Sequence, residues 1–211
     1  MIILFNGPPG AGKDLAADFY KKLGFKHLSF KYQLYKETIN YFGVDEHWFM
    51  DGYNNREIKE IPSTLLGNMS RREAMIYVSE KVIKPKQGLD YFGKLVANEI
   101  DLEKDYVISD GGFIDELVPV LERVGTKNFI LVQLTREGHD YSTDSRRYFQ
   151  GTRLMHEYVL GGILTPIDNQ YVLDKLFDVK MYRIHNNSTI EDFEDTLQKI
   201  YDNEINNPLG E

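Results

Sequence analysis

The sequence predicts an α/β protein, a parallel β-sheet with helices covering both of its faces. Three observations carry that prediction. Short apolar runs stand at Ile2-Ile3-Leu4-Phe5-Asn6, at Tyr106-Val107-Ile108-Ser109 and at 127–135 (KNFILVQLT). The last is apolar over consecutive positions, the pattern of a strand buried on both faces rather than one. Between these runs lie segments with helical apolar spacing, and strands that alternate with helices in sequence pair in parallel through crossovers.

Taken in order, 2–6 reads as a buried strand and 13–23 as the amphipathic helix after it. Residues 25–30 suit a second short strand. Residues 31–42 read as helix, with Leu34, Thr38, Ile39 and Phe42 on one face and Gly43 closing it. Residues 43–69 read as irregular, because Gly52, Asn54-Asn55, Pro62 and Gly67-Asn68 interrupt them. Ser70-Arg71-Arg72-Glu73 has the form of a capping box and starts a helix expected to run to Lys84 and stop at Pro85. A further helix is expected from Leu89 to Asp101. After the 106–109 strand, Asp110-Gly111-Gly112 leads into a helix from Phe113 to Val124, interrupted or kinked near Pro119. Residues 136–153 are polar and arginine-rich. A strand at 179–184 and an amphipathic helix at 189–205 complete the chain.

The chain has 211 residues, 42% of them apolar and 27% charged, which suits one soluble globular domain with excursions. No run approaches the eighteen or so apolar residues of a membrane span, and no signal-like segment opens the chain. There is no cysteine, which excludes disulfides, thiolate metal sites and cysteine catalysis and is compatible with a reducing cytoplasm. The five histidines, His27, His47, His139, His156 and His185, have no metal-ligand spacing. A net charge of −8 argues against a broad nucleic-acid or membrane footprint. A small anionic ligand must then be held by local clusters of basic groups.

One motif supplies such a site. Gly7-Pro8-Pro9-Gly10-Ala11-Gly12-Lys13-Asp14 lies between the first strand and first helix, the context in which G-x-x-x-x-G-K binds phosphate. Glycines let successive backbone N–H groups curl inward, the helix N-terminus adds partial positive charge, and Lys13 adds a full one. Gly7, Gly10, Ala11, Gly12, Lys13, Asp14 and Leu15 are therefore the phosphate-binding candidates. The residue after the lysine is usually Ser or Thr. Here Asp14 could ligate magnesium directly or through water, or simply be a favourable acid in the first helical turn.

Asp110 stands at the carboxyl end of an apolar strand, where open α/β sheets place their ligands, and could hold Mg²⁺ or cap the next turn. Arg136, Arg146, Arg147 and Arg153 fall within eighteen residues, in a segment suited to closing over phosphates and neutralising charge during transfer. Between 30 and 92, aromatic residues (Phe30, Tyr32, Trp48, Tyr53, Tyr91, Phe92) mix with Lys36, Arg56, Arg71 and Arg72. Such a mixture can stack a base and grip a phosphate, although most of the aromatics suit a core or its cover.

Taken together, these residues resemble the bacteriophage deoxynucleoside monophosphate kinases, relatives of the adenylate-kinase-like P-loop kinases. The resemblance rests on Gly12-Lys13-Asp14 followed by Ala16-Ala17-Asp18, and on 31–37 (KYQLYKE) with Phe42-Gly43. It continues through Ser70-Arg71-Arg72-Glu73, Asp110-Gly111-Gly112-Phe113 with Glu116, and Ser145-Arg146. It covers about residues 1–150. It implies a P-loop NTPase fold with a core of about 1–30, 104–136 and 178–211, a helical substrate-binding excursion at about 31–103 and a lid at about 137–153. It also implies Mg²⁺-dependent transfer of the ATP γ-phosphate to a nucleoside 5′-monophosphate. Lys13 would contact the phosphates in flight, with Arg136, Arg146 and Arg147 acting from the lid side. Lys36, Arg71, Arg72 and Asp110 would face the acceptor, and Asp14 and Asp110 the metal. The chain departs from related kinases in two places. Phe113-Ile114-Asp115 stands where an acceptor-binding arginine is common, and Arg71 stands where the family has proline. A kinase of another small phosphorylated metabolite and a non-catalytic nucleotide-binding module are the alternatives. Homodimerisation is left open.

Overall fold

β1 (Ile2–Asn6), buried at every position, lies inside a six-stranded sheet whose pairings are all parallel. The order is β2-β3-β1-β4-β8-β6, with β2 Lys26–Leu28, β3 Tyr106–Gly111, β4 Phe129–Thr135, β6 Arg153–Leu160 and β8 Lys180–Asn186. β5 (Tyr148–Gln150) and β7 (Gln170–Val172) form a separate two-stranded parallel pair. The structure, a computed structural model, describes residues 1–55, 57–142, 144–150, 153–161, 170–172 and 178–206.

Because successive strand side chains point to opposite faces, each apolar strand supplies two layers. Ile2, Leu4, Phe129, Leu131 and Met181 pack against α6 (Tyr91–Glu99) and α7 (Ile114–Val124). Ile3, Phe5, Ile130, Val132, Leu134, Tyr182 and Ile184 pack against α1 (Lys13–Lys22) and α8 (Ile190–Tyr201). Each fully buried large apolar side chain contributes about 1.5–3 kcal/mol, and the central strands hold little else. A third apolar cluster, Tyr35, Phe49, Tyr53, Leu66, Ala74 and Met75, is built by α2 (Phe30–Phe42), α3 (Glu46–Asn54), α4 (Arg71–Tyr77) and the turn between the last two. The helical excursion between β2 and β3 thus carries its own small core. Among the described residues no helix is long and apolar enough to cross a membrane.

Several elements differ from expectation. The segment 43–69 is not wholly irregular. Asp45 caps α3, its carboxylate accepting from the Trp48 N–H at 2.8 Å, and Gly52 lies inside that helix. Gly52 is there for packing: a Cβ on it would stand 2.1 Å from the Arg71 guanidinium carbon. The capping box at Ser70 is present, but the helix passes through a π-helical stretch (Val78–Ile83) into α5 (Lys84–Gln87). Pro85 sits in the first turn of α5, where its missing N–H costs no hydrogen bond, rather than ending the helix. α7 runs through Pro119 without a break. β6, a strand at the sheet edge that begins where the polar stretch ends, was not expected.

Candidate functional site

The glycine loop turns at the carboxyl end of β1, with Gly10 at φ 82° and Gly12 at φ 106°, backbone angles that a side chain would strain. It is framed from outside by the ends of β4 and β8. Arg136 Nη1 donates to the Gly10 carbonyl at 3.2 Å, and Asn186 Nδ2 to the Ala11 carbonyl at 3.0 Å. The His139 ring lies against Gly10, and a Cβ at Gly7 would meet the Leu134 carbonyl oxygen at 2.4 Å. Lys13, the first residue of α1, is buried and donates from Nζ to the Pro8 carbonyl at 2.7 Å. The loop carbonyls of Pro8, Gly10 and Ala11 are thus taken up by side chains, an arrangement suited to leaving loop and first-turn N–H groups for an anion.

Burial, reinforced by the Arg146 charge, lowers the Lys13 ammonium to about 8, against the opposing pull of Asp14, Asp144 and Asp110. A polyphosphate beside Lys13 would raise that pKa again. Binding of a nucleoside triphosphate between pH 8 and 10 is therefore expected to take up close to one proton, with affinity falling as pH rises above about 8. Titration calorimetry at pH 9 in buffers of different ionisation enthalpy reads this directly, and a buffer-independent heat would contradict it.

Asp110, the penultimate residue of β3, turns its carboxylate onto the start of α2. It accepts from Ser29 Oγ at 2.8 Å, the Lys31 N–H at 2.8 Å and the Phe30 N–H at 3.3 Å. Asp110 therefore anchors the first helix of the excursion to the sheet, using the favourable pairing of an acid with a helix N-terminus. Asp14 is exposed in the first turn of α1. Among the described residues no group of three or more His, Asp or Glu side chains is arranged to hold a metal ion. A magnesium ion that keeps several waters and shares substrate phosphates needs only one or two carboxylates, and the oxygen donors of Asp14 and Asp110 fit that demand.

The segment expected as a lid at about 137–153 is, in its described part, docked on the sheet. Asn6 does the stitching. Its Nδ2 donates to the Arg147 carbonyl at 2.9 Å and the Tyr141 hydroxyl at 3.2 Å, and its Oδ1 accepts from the Phe149 N–H at 2.7 Å. The Arg147 N–H donates to the Gly112 carbonyl at 3.1 Å, and Tyr141, Tyr148 and Phe149 are buried. The buried rings of Tyr141, Tyr148 and Phe149 hold the described part of this segment against the sheet. Residues 151 and 152 and the Arg153 side chain lie outside the described set.

Docking delivers Arg146. Its aliphatic stem crosses Gly112 so closely that a Cβ there would stand 2.6 Å from Cβ, Cγ and Cδ of Arg146. Its guanidinium grips Asp144 through Nε and Nη2, the latter at 2.6 Å. Burial pushes the Asp144 carboxyl up, but its bonds to Arg146, with help from the Arg72 charge, hold it below the usual range. Arg147 is exposed.

The acceptor candidates separate. Arg71 is buried, donates to the carbonyls of Phe49 and Trp48 at 3.1 Å each and covers the Trp48 ring, so it ties α3 to α4 rather than facing a ligand. Lys36 lies over the Tyr32 ring and pairs with Glu99 at 3.7 Å, beside an open cavity of about 400 Å³ lined by His27, Ser29, Tyr32 and Tyr35. Arg72 is exposed, with Glu60 at 3.9 Å, and near enough to Asp144 to act on its charge. Arg56 falls outside the described residues. The structure thus gathers Lys13, Asp14, Asp110, Arg136 and Arg146 around the carboxyl ends of β1, β3 and β4, with Arg72 at the margin, and places Lys36 and Arg71 elsewhere.

Three further residues belong to this neighbourhood. Asn6 was readable as a polar residue ending a buried strand, though its partners were not. Lys31 reaches over the rings of Tyr35 and Tyr53. Glu116, on α7, is buried, and among the described residues its carboxyl has no hydrogen-bond or ion-pair partner. Burial, then the charge of Asp110, raises it to about 8. Its folded-state pKa exceeds the unfolded value near 4.5. The stability it contributes is therefore fully present below that value and is lost as pH climbs through about 8. Glu116→Gln is expected to leave the denaturation midpoint near its original value at pH 5 and to raise stability by a few kcal/mol at pH 9. Equal effects at both pH values in urea titrations would contradict this.

In comparison with known proteins, the chain matches no protein-family model and no curated protein sequence. The fold and site geometry alone define it as an α/β protein with an all-parallel sheet and a basic cluster at the strand ends.

Proposed function

We propose that this protein is a P-loop nucleotide kinase that transfers the ATP γ-phosphate to a (deoxy)nucleoside 5′-monophosphate. The observation that carries the reading is the convergence of Lys13, in the first turn after the glycine loop, with Arg146 and Asp110 at the adjoining strand ends. The loop would cradle the donor phosphates. An oxygen of the acceptor phosphate attacks the γ-phosphorus in line, and the bond to the β–γ bridging oxygen breaks, releasing ADP. Lys13 and Arg146 supply positive charge where it accumulates on the transferring group. Mg²⁺, held through Asp14 or Asp110 with the donor phosphates, would neutralise further charge. Arg136, spent on the Gly10 carbonyl, positions the loop. Asp110 positions α2 and with it the acceptor side.

The resemblance to phage deoxynucleoside monophosphate kinases supports deoxynucleotides as acceptors. Gly112 supports the same reading in another way. It stands three residues before Asp115, where related kinases carry an acceptor-binding arginine nearby, and the space above it is filled by Arg146. On this reading Arg146, whose stem crosses Gly112, takes that arginine's part from a different segment. Incubation with ATP, Mg²⁺ and each deoxynucleoside monophosphate should yield a diphosphate from at least one of them. ATP hydrolysis at a rate indifferent to every acceptor would sink the reading in favour of a non-catalytic module.

A further inference from the structure

We infer that Lys31 and Lys59, converging on the hydroxyl of Tyr53, form the subsite that takes the 5′-phosphate of the acceptor. The inference rests on the kinase reading above and deepens it. Lys31 Nζ stands 4.6 Å from the Tyr53 ring centre and Lys59 Nζ 4.4 Å, so two ammonium groups share one phenol. Both act on the Tyr53 hydroxyl, and Tyr53 and Tyr35 are themselves buried. In a chain of net charge −8, lysines usually find carboxylates, as Lys21, Lys22, Lys84, Lys94, Lys104 and Lys180 do here. Among the described residues Lys31 and Lys59 have none. Two like charges held together without an anion repel, and a dianionic group between them would relieve that repulsion.

The place of the cluster selects the acceptor rather than the donor. Lys31 is the second residue of α2, and its N–H is bonded to Asp110 at the end of β3. Tyr35, one turn further on, lies under the same Lys31 ammonium at 5.5 Å, so the cluster sits beside the carboxyl end of β3. Its residues come from α2, α3 and the turn after α3, all within the excursion. The donor loop is instead framed by β4 and β8. Two flexible ammonium groups and a hydroxyl make three donors around one point, a match for a tetrahedral phosphate. Of the cations first suggested for this task, Arg71 and Lys36 are committed elsewhere and Arg72 has Glu60 beside it.

The test uses the full chain with Lys31→Met and Lys59→Met, and Lys94→Met as a control on an exposed, already paired lysine. Initial rates with each deoxynucleoside monophosphate are expected to show acceptor KM raised at least about 10-fold in either variant. The KM for ATP should stay within about twofold, and Lys31→Arg should recover most of the loss. In parallel, the Tyr53 ring resonances are followed while inorganic phosphate is added without nucleotide. They should move in the unmodified protein and stay fixed in the double variant. An unchanged acceptor KM, or a lowered kcat with acceptor KM intact, overturns the inference, as does a Tyr53 signal blind to phosphate. If phosphate moves Tyr53 only when the lysines are present but no monophosphate is turned over, the anion subsite stands and the kinase reading falls.

Discussion

Lys13→Met is expected to lower turnover by about two to three orders of magnitude and, at neutral pH, to make the protein more stable. The first effect follows from removing a charge that acts on the transferring group in a site with little other chemistry to offer, where one such donor is worth about 10²–10³. The second follows from the pKa. The folded protein holds Lys13 at about 8 against an ordinary 10.5, so keeping it charged at pH 7 costs on the order of a few kcal/mol. Methionine keeps the stem and gives up the bond to the Pro8 carbonyl, a loss of about 1 kcal/mol. The net gain should appear as a melting temperature several degrees higher. Its pH dependence has a definite sign. The gap between variant and parent should be full below pH 8 and shrink as pH rises toward 10.5, where lysine becomes neutral in both states. A variant retaining more than a tenth of the parent's turnover would refute the role given to Lys13. A destabilised one would refute the account of its burial.

What the sequence disclosed and what it hid divide along the distance between interacting residues. β1, the glycine loop and α1 are contiguous, and both their order and their chemistry are local. The same holds for the capping box at Ser70 and the apolar run of β4. α3 escaped because Gly52 and Asn54 look like breakers. Gly52 is explained only by the guanidinium of Arg71, nineteen positions away in sequence and pressed against it in the fold. β6 escaped because no element was read between the polar stretch ending at 153 and the strand at 179–184, and its place in the sheet comes from register with β8. Among site residues, Arg71 looked like a ligand contact because its charge was visible and its burial was not. Lys31 entered only as part of the 31–37 segment, since its partner Tyr53 belongs to the unread helix. Asp110 was read correctly as a strand-end acid, but its three bonds to the start of α2 depend on the pairing of β2 with β3. Motifs thus reported chemistry, and tertiary contacts decided which residue of a given chemistry was free to use it.

Gly112→Val is expected to cost about as much activity as Arg146→Ala, roughly 10²–10³-fold in kcat, although valine at 112 removes no charge. The space above Gly112 is already occupied. Arg146 Cβ, Cγ and Cδ all lie 2.6 Å from where a Cβ on Gly112 would be, nearer than atoms approach without moving. Those are the root of the side chain and not its flexible end, so the arginine has to leave rather than bend aside. Its departure also pulls Asp144 out of their shared fork and weakens the hydrogen bond from the Arg147 N–H to the Gly112 carbonyl. The docked segment should nevertheless stay in place. Asn6, Gln133 and the buried rings of Tyr141, Tyr148 and Phe149 hold it independently of residue 146. If Arg146 is the group through which Gly112 acts, the two changes are not additive, and Gly112→Val combined with Arg146→Ala should be no slower than either alone. Arg146→Lys should recover little, because the fork that both grips Asp144 and can face a phosphate is specific to guanidinium. Steady-state rates for the parent, Gly112→Val, Arg146→Ala and their double form a complete cycle, with Arg146→Lys measured beside it. Independent losses that multiply would show that Gly112 does not act through Arg146, and an Arg146→Ala rate close to the parent's would remove Arg146 from the transfer step.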